Sequence, residues 1–130
     1  MEAEIVRFCR VFVRNVGNIP IRSSEFAVLD IMCALPGPHT PVEMARKLGV
    51  SKAMISGHLS VLVNKGYVVR VPSPEDRRSV YVMPTKRGKD LFNEISRANN
   101  NKINDIKSKI GDEKFSEFVQ IIRQINQFLD

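Results

Sequence analysis

TPVEMARKLGVSKAMISGHLSVLVNKGYVVRVPSPEDRRSVYVMPTKRGK, residues 40–89, decides the fold. It opens on a helix start: Thr40 can cap, Pro41 suits the first helical position, and Glu43 can close a capping box. Met44, Ala45 and Leu48 supply an inward face before a turn at Gly49-Val50. Ser51 caps a second helix whose inward face is Ile55, Leu59 and Leu62, with Lys65 in its last turn and Gly66 as a left-handed stop. YVVRV (67–71) and SVYVM (79–83) are short β-prone runs. Pro72-Ser73-Pro74-Glu75-Asp76-Arg77-Arg78 joins them, which predicts a hairpin. The order is helix, tight turn, helix, hairpin.

Charge singles out the same stretch. Residues 44–89 hold ten Lys/Arg (Arg46, Lys47, Lys52, Lys65, Arg70, Arg77, Arg78, Lys86, Arg87, Lys89) against two acids, Glu75 and Asp76, a net +8. The rest of the chain has ten basic and twelve acidic residues, or −2, which recovers the total of +6. A basic helix-turn-helix with a basic hairpin attracts a duplex by phosphate neutralisation and counterion release. The pI near 9.6 likewise favours a polyanionic partner, nucleic acid before an acidic membrane surface.

Outward from this centre the chain reads as helices. Residues 3–16 place Ile5, Phe8, Cys9, Phe12 and Val16 at helical spacing, and Gly17, Asn18 and Pro20 stop that helix. Ser23 or Ser24 can cap a second helix that ends at Pro36-Gly37-Pro38. Thr85 can cap a long helix to about residue 110, within which Asn99-Asn100-Asn101 is a poor helix former, a place for a kink or a break. Asp112 caps the last helix. The expected architecture is mainly α with a small β-hairpin wing, in one domain of 130 residues.

Several classes are set aside. At 43% hydrophobic and 26% charged the chain is ordinary globular material. Two cysteines, Cys9 and Cys33, are too few for a disulfide framework and suggest a reducing compartment. Glu2, Glu4, Arg7, Arg10 and Arg14 interrupt any signal-like run, and no stretch has the length of a membrane span, so a cytoplasmic protein without a membrane partner is expected. No nucleophile–base pair, phosphate loop or paired carboxylates stand out, so neither catalysis nor a cofactor is expected. Cys33 with His39 is too thin a donor set for a metal.

The motifs are specific enough to carry a family resemblance. DRRSVYVMPTKRG (76–88) resembles the wing signature of the MarR family of bacterial regulators: Asp-x-Arg, alternating apolar residues, then Leu-Thr-x-x-Gly opening a helix. LGVSKAMISGHLSVLVNKGYV (48–68) resembles the family's third and fourth helices, and SSEFAVL (23–29) its second-helix start. The likeness spans nearly the whole chain in the family's order. It implies a winged helix-turn-helix lobe over 23–98 and dimerisation helices over 1–20 and 100–130.

The resemblance also assigns roles. The helix from Ser51 would enter the major groove, with Ser51, Lys52, Met54, Ser56, Gly57 and His58 as candidate DNA contacts. Arg78, at the third position of the wing motif, would enter the minor groove, with Arg77 beside it and Asp76 supporting it or shaping the turn. Arg70, Lys86 and Arg87 read as phosphate-steering charges. Two departures stand out: Gly57 where many relatives carry Arg, and Pro84 in place of the usual Leu.

The chain ends argue for a second copy. Phe115, Phe118, Ile122, Ile125 and Leu129 follow the spacing of a packing seam, and Ile5, Phe8 and Phe12 do so at the other end. In relatives the terminal helices of two subunits interlock, which implies a homodimer on a pseudo-palindromic operator, most simply a repressor. Family members commonly release DNA on binding a small aromatic or anionic effector, and others respond to thiol oxidation. Cys9 lies near the reactive position of the peroxide-sensing branch, but the tyrosines that branch uses are absent from these helices: Tyr67 and Tyr81 both fall in the wing. A rival reading is a winged-helix protein-interaction adaptor that dimerises without reading DNA.

Overall fold

The computed structural model describes residues 1–13, 19–76 and 78–129. Its elements are α1 (Glu2–Val13), α2 (Ser23–Ala34), α3 (Pro41–Leu48), α4 (Lys52–Asn64), β1 (Val68–Pro72), β2 (Val80–Pro84), α5 (Lys86–Ile110) and α6 (Asp112–Leu129). They group into two compact units, Met1–Ile95 and Ser96–Asp130.

In the first unit the helix-turn-helix forms for local reasons. The Thr40 hydroxyl accepts from Glu43 N at 3.2 Å and starts α3, while the Ser51 hydroxyl accepts from Met54 N at 3.1 Å and starts α4. Gly49 turns left-handed at φ 66°. Around it Val50 N donates to Ala45 O at 3.0 Å and Gly49 N to Arg46 O at 3.2 Å, the paired bonds of a Schellman ending. Gly66, at φ 83°, closes α4 in the same way, with Tyr67 N donating to Leu62 O at 2.9 Å.

The core gathers one face each of α2, α3, α4, the hairpin and the start of α5. Val28, Leu29 and Met32 of α2, Met44 and Ala45 of α3, and Ile55, Leu59 and Leu62 of α4 are buried together. Val68 and Val82 of the hairpin and Leu91 and Ile95 of α5 complete it. The hairpin is antiparallel, with Val68 opposite Pro84, Arg70 opposite Val82 and Pro72 opposite Val80. Each strand starts one residue later than the β-prone runs suggest. Tyr67 is held instead in the turn that ends α4, where its carbonyl receives Thr85 N at 3.0 Å.

Three expectations change. Neither Ser23 nor Ser24 caps α2: the cap position is Arg22, whose N–H donates to Glu25 Oε1 at 3.3 Å. The Asn99-Asn100-Asn101 run lies inside the continuous helix α5. Side-chain burial on either side of the run outweighs weak intrinsic propensity: Ile95 is buried before it and Ile103 half-buried after it. His39, weighed from sequence only as a ligand, is structural. Its backbone pairs with β2 through Val82 N→His39 O at 3.0 Å, and its ring bonds the Leu35 carbonyl at 3.1 Å. The expected stop of the first helix at residues 17 and 18, and Val16, lie outside the described residues.

The second unit turns at Gly111, φ 90°, which separates the end of α5 from α6. Phe115 and Phe118 are half-buried, with ring centroids 6.3 Å apart, and the Lys107 ammonium lies 6.0 Å from the Phe115 ring centre. No residue of α6 is fully buried.

Candidate nucleic-acid interface

Helix α4 buries Ile55, Leu59 and Leu62, so its opposite side is presented to solvent. Ser51, Lys52, Ala53, Met54, Ser56 and Gly57 are exposed there, and His58 is half-buried. A side chain added at Gly57 would meet nothing within 4 Å. Packing therefore does not demand glycine at this position.

The hairpin stands beside this face. Arg70 on β1 donates from Nη2 to Ser60 Oγ of α4 at 3.4 Å, which ties the strand's cation to the helix. At the tip, the buried Ser73 accepts from Glu75 N and Asp76 N, both at 3.3 Å. Asp76 in turn organises the residues after it: Oδ1 accepts from Arg78 N at 2.9 Å and Oδ2 from Ser79 Oγ at 3.3 Å. The aspartate holds the Arg78 backbone and leaves its guanidinium unpaired, since among the described residues no carboxylate lies in ion-pair range of it. Arg78 is exposed, and Arg77 lies outside the described residues. Ser73, which the sequence presents only as a loop residue, is the tip's second anchor. The Ser-Pro-Glu-Asp turn motif carries that signal.

The Thr-x-x-Gly part of the wing motif acquires a physical cause. Thr85 Oγ1 donates to Gly66 O at 2.7 Å and accepts from Gly88 N at 3.0 Å, clamping the start of α5 to the end of α4. Gly88 must be glycine, because a Cβ there would lie 2.1 Å from the Tyr67 carbonyl oxygen. Arg87 lies over the Tyr67 ring at 5.0 Å, Lys65 donates to the Pro20 carbonyl, and Lys86 pairs with Asp90 at 3.4 Å in the open. The first two cations are partly committed to the fold. The exposed Lys86 pair is weak and leaves that charge accessible.

A cavity of about 560 Å³ opens in the same unit, between α2, the start of α5 and the hairpin. Met32, Cys33, Tyr81, Met83 and Phe92 give it an apolar wall, and Lys89 adds a cation. Burial raises the Cys33 thiol pKa, the Asp30 carboxylate raises it further, and Lys89 opposes both. Cys33 is therefore a neutral lining group at neutral pH. Cys9, on α1, is exposed. Among the described residues no three His, Cys, Asp or Glu converge as a metal site requires.

This geometry agrees with what the chain is similar to. A family model for the MarR family matches residues 19–79. The multiple antibiotic resistance protein MarR of Salmonella typhimurium is 38% identical over 80 residues, covering 61% of this chain and 54% of that protein. Over α2, α3, α4 and β1 the chain is similar to the MarR family. It spans about half the length of the curated MarR relatives it matches. Among solved structures, FabT of Streptococcus pneumoniae in complex with DNA superimposes with a TM-score of 0.83 at 25% identity, covering 98% of this chain and 93% of that one. The transcriptional repressor CouR, bound to a 23-mer DNA duplex, shares the winged-helix fold at a TM-score of 0.81 and 23% identity, covering 96% and 88%.

Proposed function

We propose that this chain is a MarR-family regulator that binds double-stranded DNA sequence-specifically and acts as a homodimeric repressor in the cytoplasm. The observation that carries the reading is the pairing of an exposed α4 face with a wing-tip guanidinium that no carboxylate among the described residues neutralises, on the segment that holds the chain's positive charge. A fold shared with FabT in complex with DNA supports it. In this reading α4 lies in the major groove, Arg78 and the neighbouring Arg77 approach the minor groove, and Arg70 and Lys86 steer phosphates. The reading gives the chain no catalytic role.

Dimerisation completes it. Ile5 and Phe8 on α1, and Ile122, Ile125 and Leu129 on α6, are exposed, as is Phe128 at 88%. Apolar residues at that density mark a partner surface, and a second copy is the partner that yields two half-site readers. Phe12, Phe115 and Phe118 are half-buried and extend the two stripes. The lobe at 23–98 then reads DNA, while 1–20 and 100–130 hold the dimer together. The cavity beside Cys33 suits the effector: its apolar wall accepts an aromatic body, and Lys89 its anionic group.

Fluorescence anisotropy against the DNA upstream of the chain's own gene and against a scrambled duplex, across a salt series, tests the reading. A preference of about a thousandfold with a steep salt slope is expected. Aromatic carboxylates added to the complex should lower the anisotropy. No binding at low salt would favour the adaptor reading instead.

A further inference from the structure

Specific base reading depends on which side chains a recognition helix offers. Bidentate contacts come from Arg or Lys to guanine, Asn or Gln to adenine, and Asp or Glu to cytosine. Residues 51–63, which span the cap and all of α4 but its last residue, contain none of Arg, Asn, Gln, Asp or Glu. Lys52 is the one bidentate reader in that stretch, while Ser56 and His58 can add single hydrogen bonds. The Ser51 hydroxyl is engaged in the cap with Met54 N, and the Ser60 hydroxyl receives Arg70, so each keeps only part of its hydrogen-bonding capacity.

What the first turns present instead is apolar and small. Met54 is 50% exposed although it sits on the helix that anchors the core. Ala53 precedes it on the exposed side, and Gly57, one turn on, leaves open space where a side chain would stand. A helix with this profile can approach the floor of a groove closely. The feature of the major-groove floor that an apolar side chain distinguishes is the thymine 5-methyl group. Met, unbranched and polarisable, adapts to such a contact at little steric cost.

We infer that α4 reads its half-site through thymine methyl groups, with Met54 as the specificity-determining residue and Ala53 beside it. The inference rests on the DNA-binding reading above and names how that site discriminates. It makes the operator's central half-site positions thymine-dependent. It also accounts for the missing arginine at Gly57: no guanine contact is made from that position, and the open space lets the helix settle.

The test is a double-mutant cycle on protein and DNA. Duplexes enriched from a random-sequence pool by the full chain are remade with each thymine replaced singly by deoxyuridine, which lacks only the methyl group. For the unmodified chain, one or two replacements per half-site should weaken binding about fourfold each, the worth of removing one buried carbon from apolar contact. Met54→Ala should bind the thymine duplex more weakly and lose that penalty, whereas Met54→Leu should keep it. Uracil substitution without effect at every position, on duplexes that still bind tightly, overturns the inference and leaves the DNA reading standing. A penalty that persists unchanged in Met54→Ala also overturns it, since another residue would then hold the methyl. A pool that yields no bound duplex removes the DNA reading, and this inference with it.

Discussion

Arg78 has its backbone fixed by Asp76 and its guanidinium unpaired among the described residues, the arrangement of a side chain preorganised for a partner outside the molecule. Arg78→Ala should weaken operator binding by about 1–3 kcal/mol and lower the salt slope, with the urea midpoint unchanged. Equal affinity by anisotropy would take the wing out of the mechanism. Gly88 has the opposite character, since its constraint lies entirely inside the fold. Gly88→Ala would press a methyl into the Tyr67 carbonyl and should destabilise the lobe by about 3 kcal/mol, read as an early urea midpoint. The Thr-x-x-Gly spacing is legible in the chain as a motif, but its reason is not. The atom that excludes a Cβ belongs to a residue in another element, and no local pattern points to it.

At the scale of elements, the starts of α3 and α4 and the stops at Gly49 and Gly66 can be read directly, because capping hydrogen bonds close within three to five residues. Helix α2 escapes that reading: with serines at hand, the cap forms one residue earlier through the Glu25 carboxylate. Its other oxygen, Oε2, is buried without a hydrogen-bond partner among the described residues, so the solution is local and incomplete. Helix α4 offers a separable test of fold and function. Because Gly57 lies in open space within a helix, Gly57→Ala should raise stability by about 0.5–1 kcal/mol in urea denaturation. A loss of stability would mean that glycine is required there for the fold. His39 shows the limit of reading by element. Its backbone pairs with Val82 across more than forty residues of chain, and nothing in Pro-Gly-Pro-His announces a bridge.

For the whole molecule, the apolar residues of α1 and α6 are the outstanding feature. Ile122 is 37% exposed and Leu129 is 78% exposed. Ile122→Asp with Leu129→Asp should shift the protein toward monomer in sedimentation velocity and weaken operator binding with it, because a monomer engages one half-site. An unchanged sedimentation coefficient would place the partner surface elsewhere. Sequence by itself determined the order of elements, the caps of α3 and α4, the charged lobe and the apolar terminal stripes. Each of these is written in spacings shorter than two helical turns or in composition, where backbone hydrogen bonding and hydrophobic period act locally. Tertiary structure alone decided that Asp76 grips the backbone of Arg78, that Thr85 clamps α5 to α4, and that His39 adds to the wing. It also decided that Cys33 lines a cavity with Lys89 and Phe92. Those outcomes depend on which distant atoms meet once the core has closed, and the contacts that select them have no period along the chain.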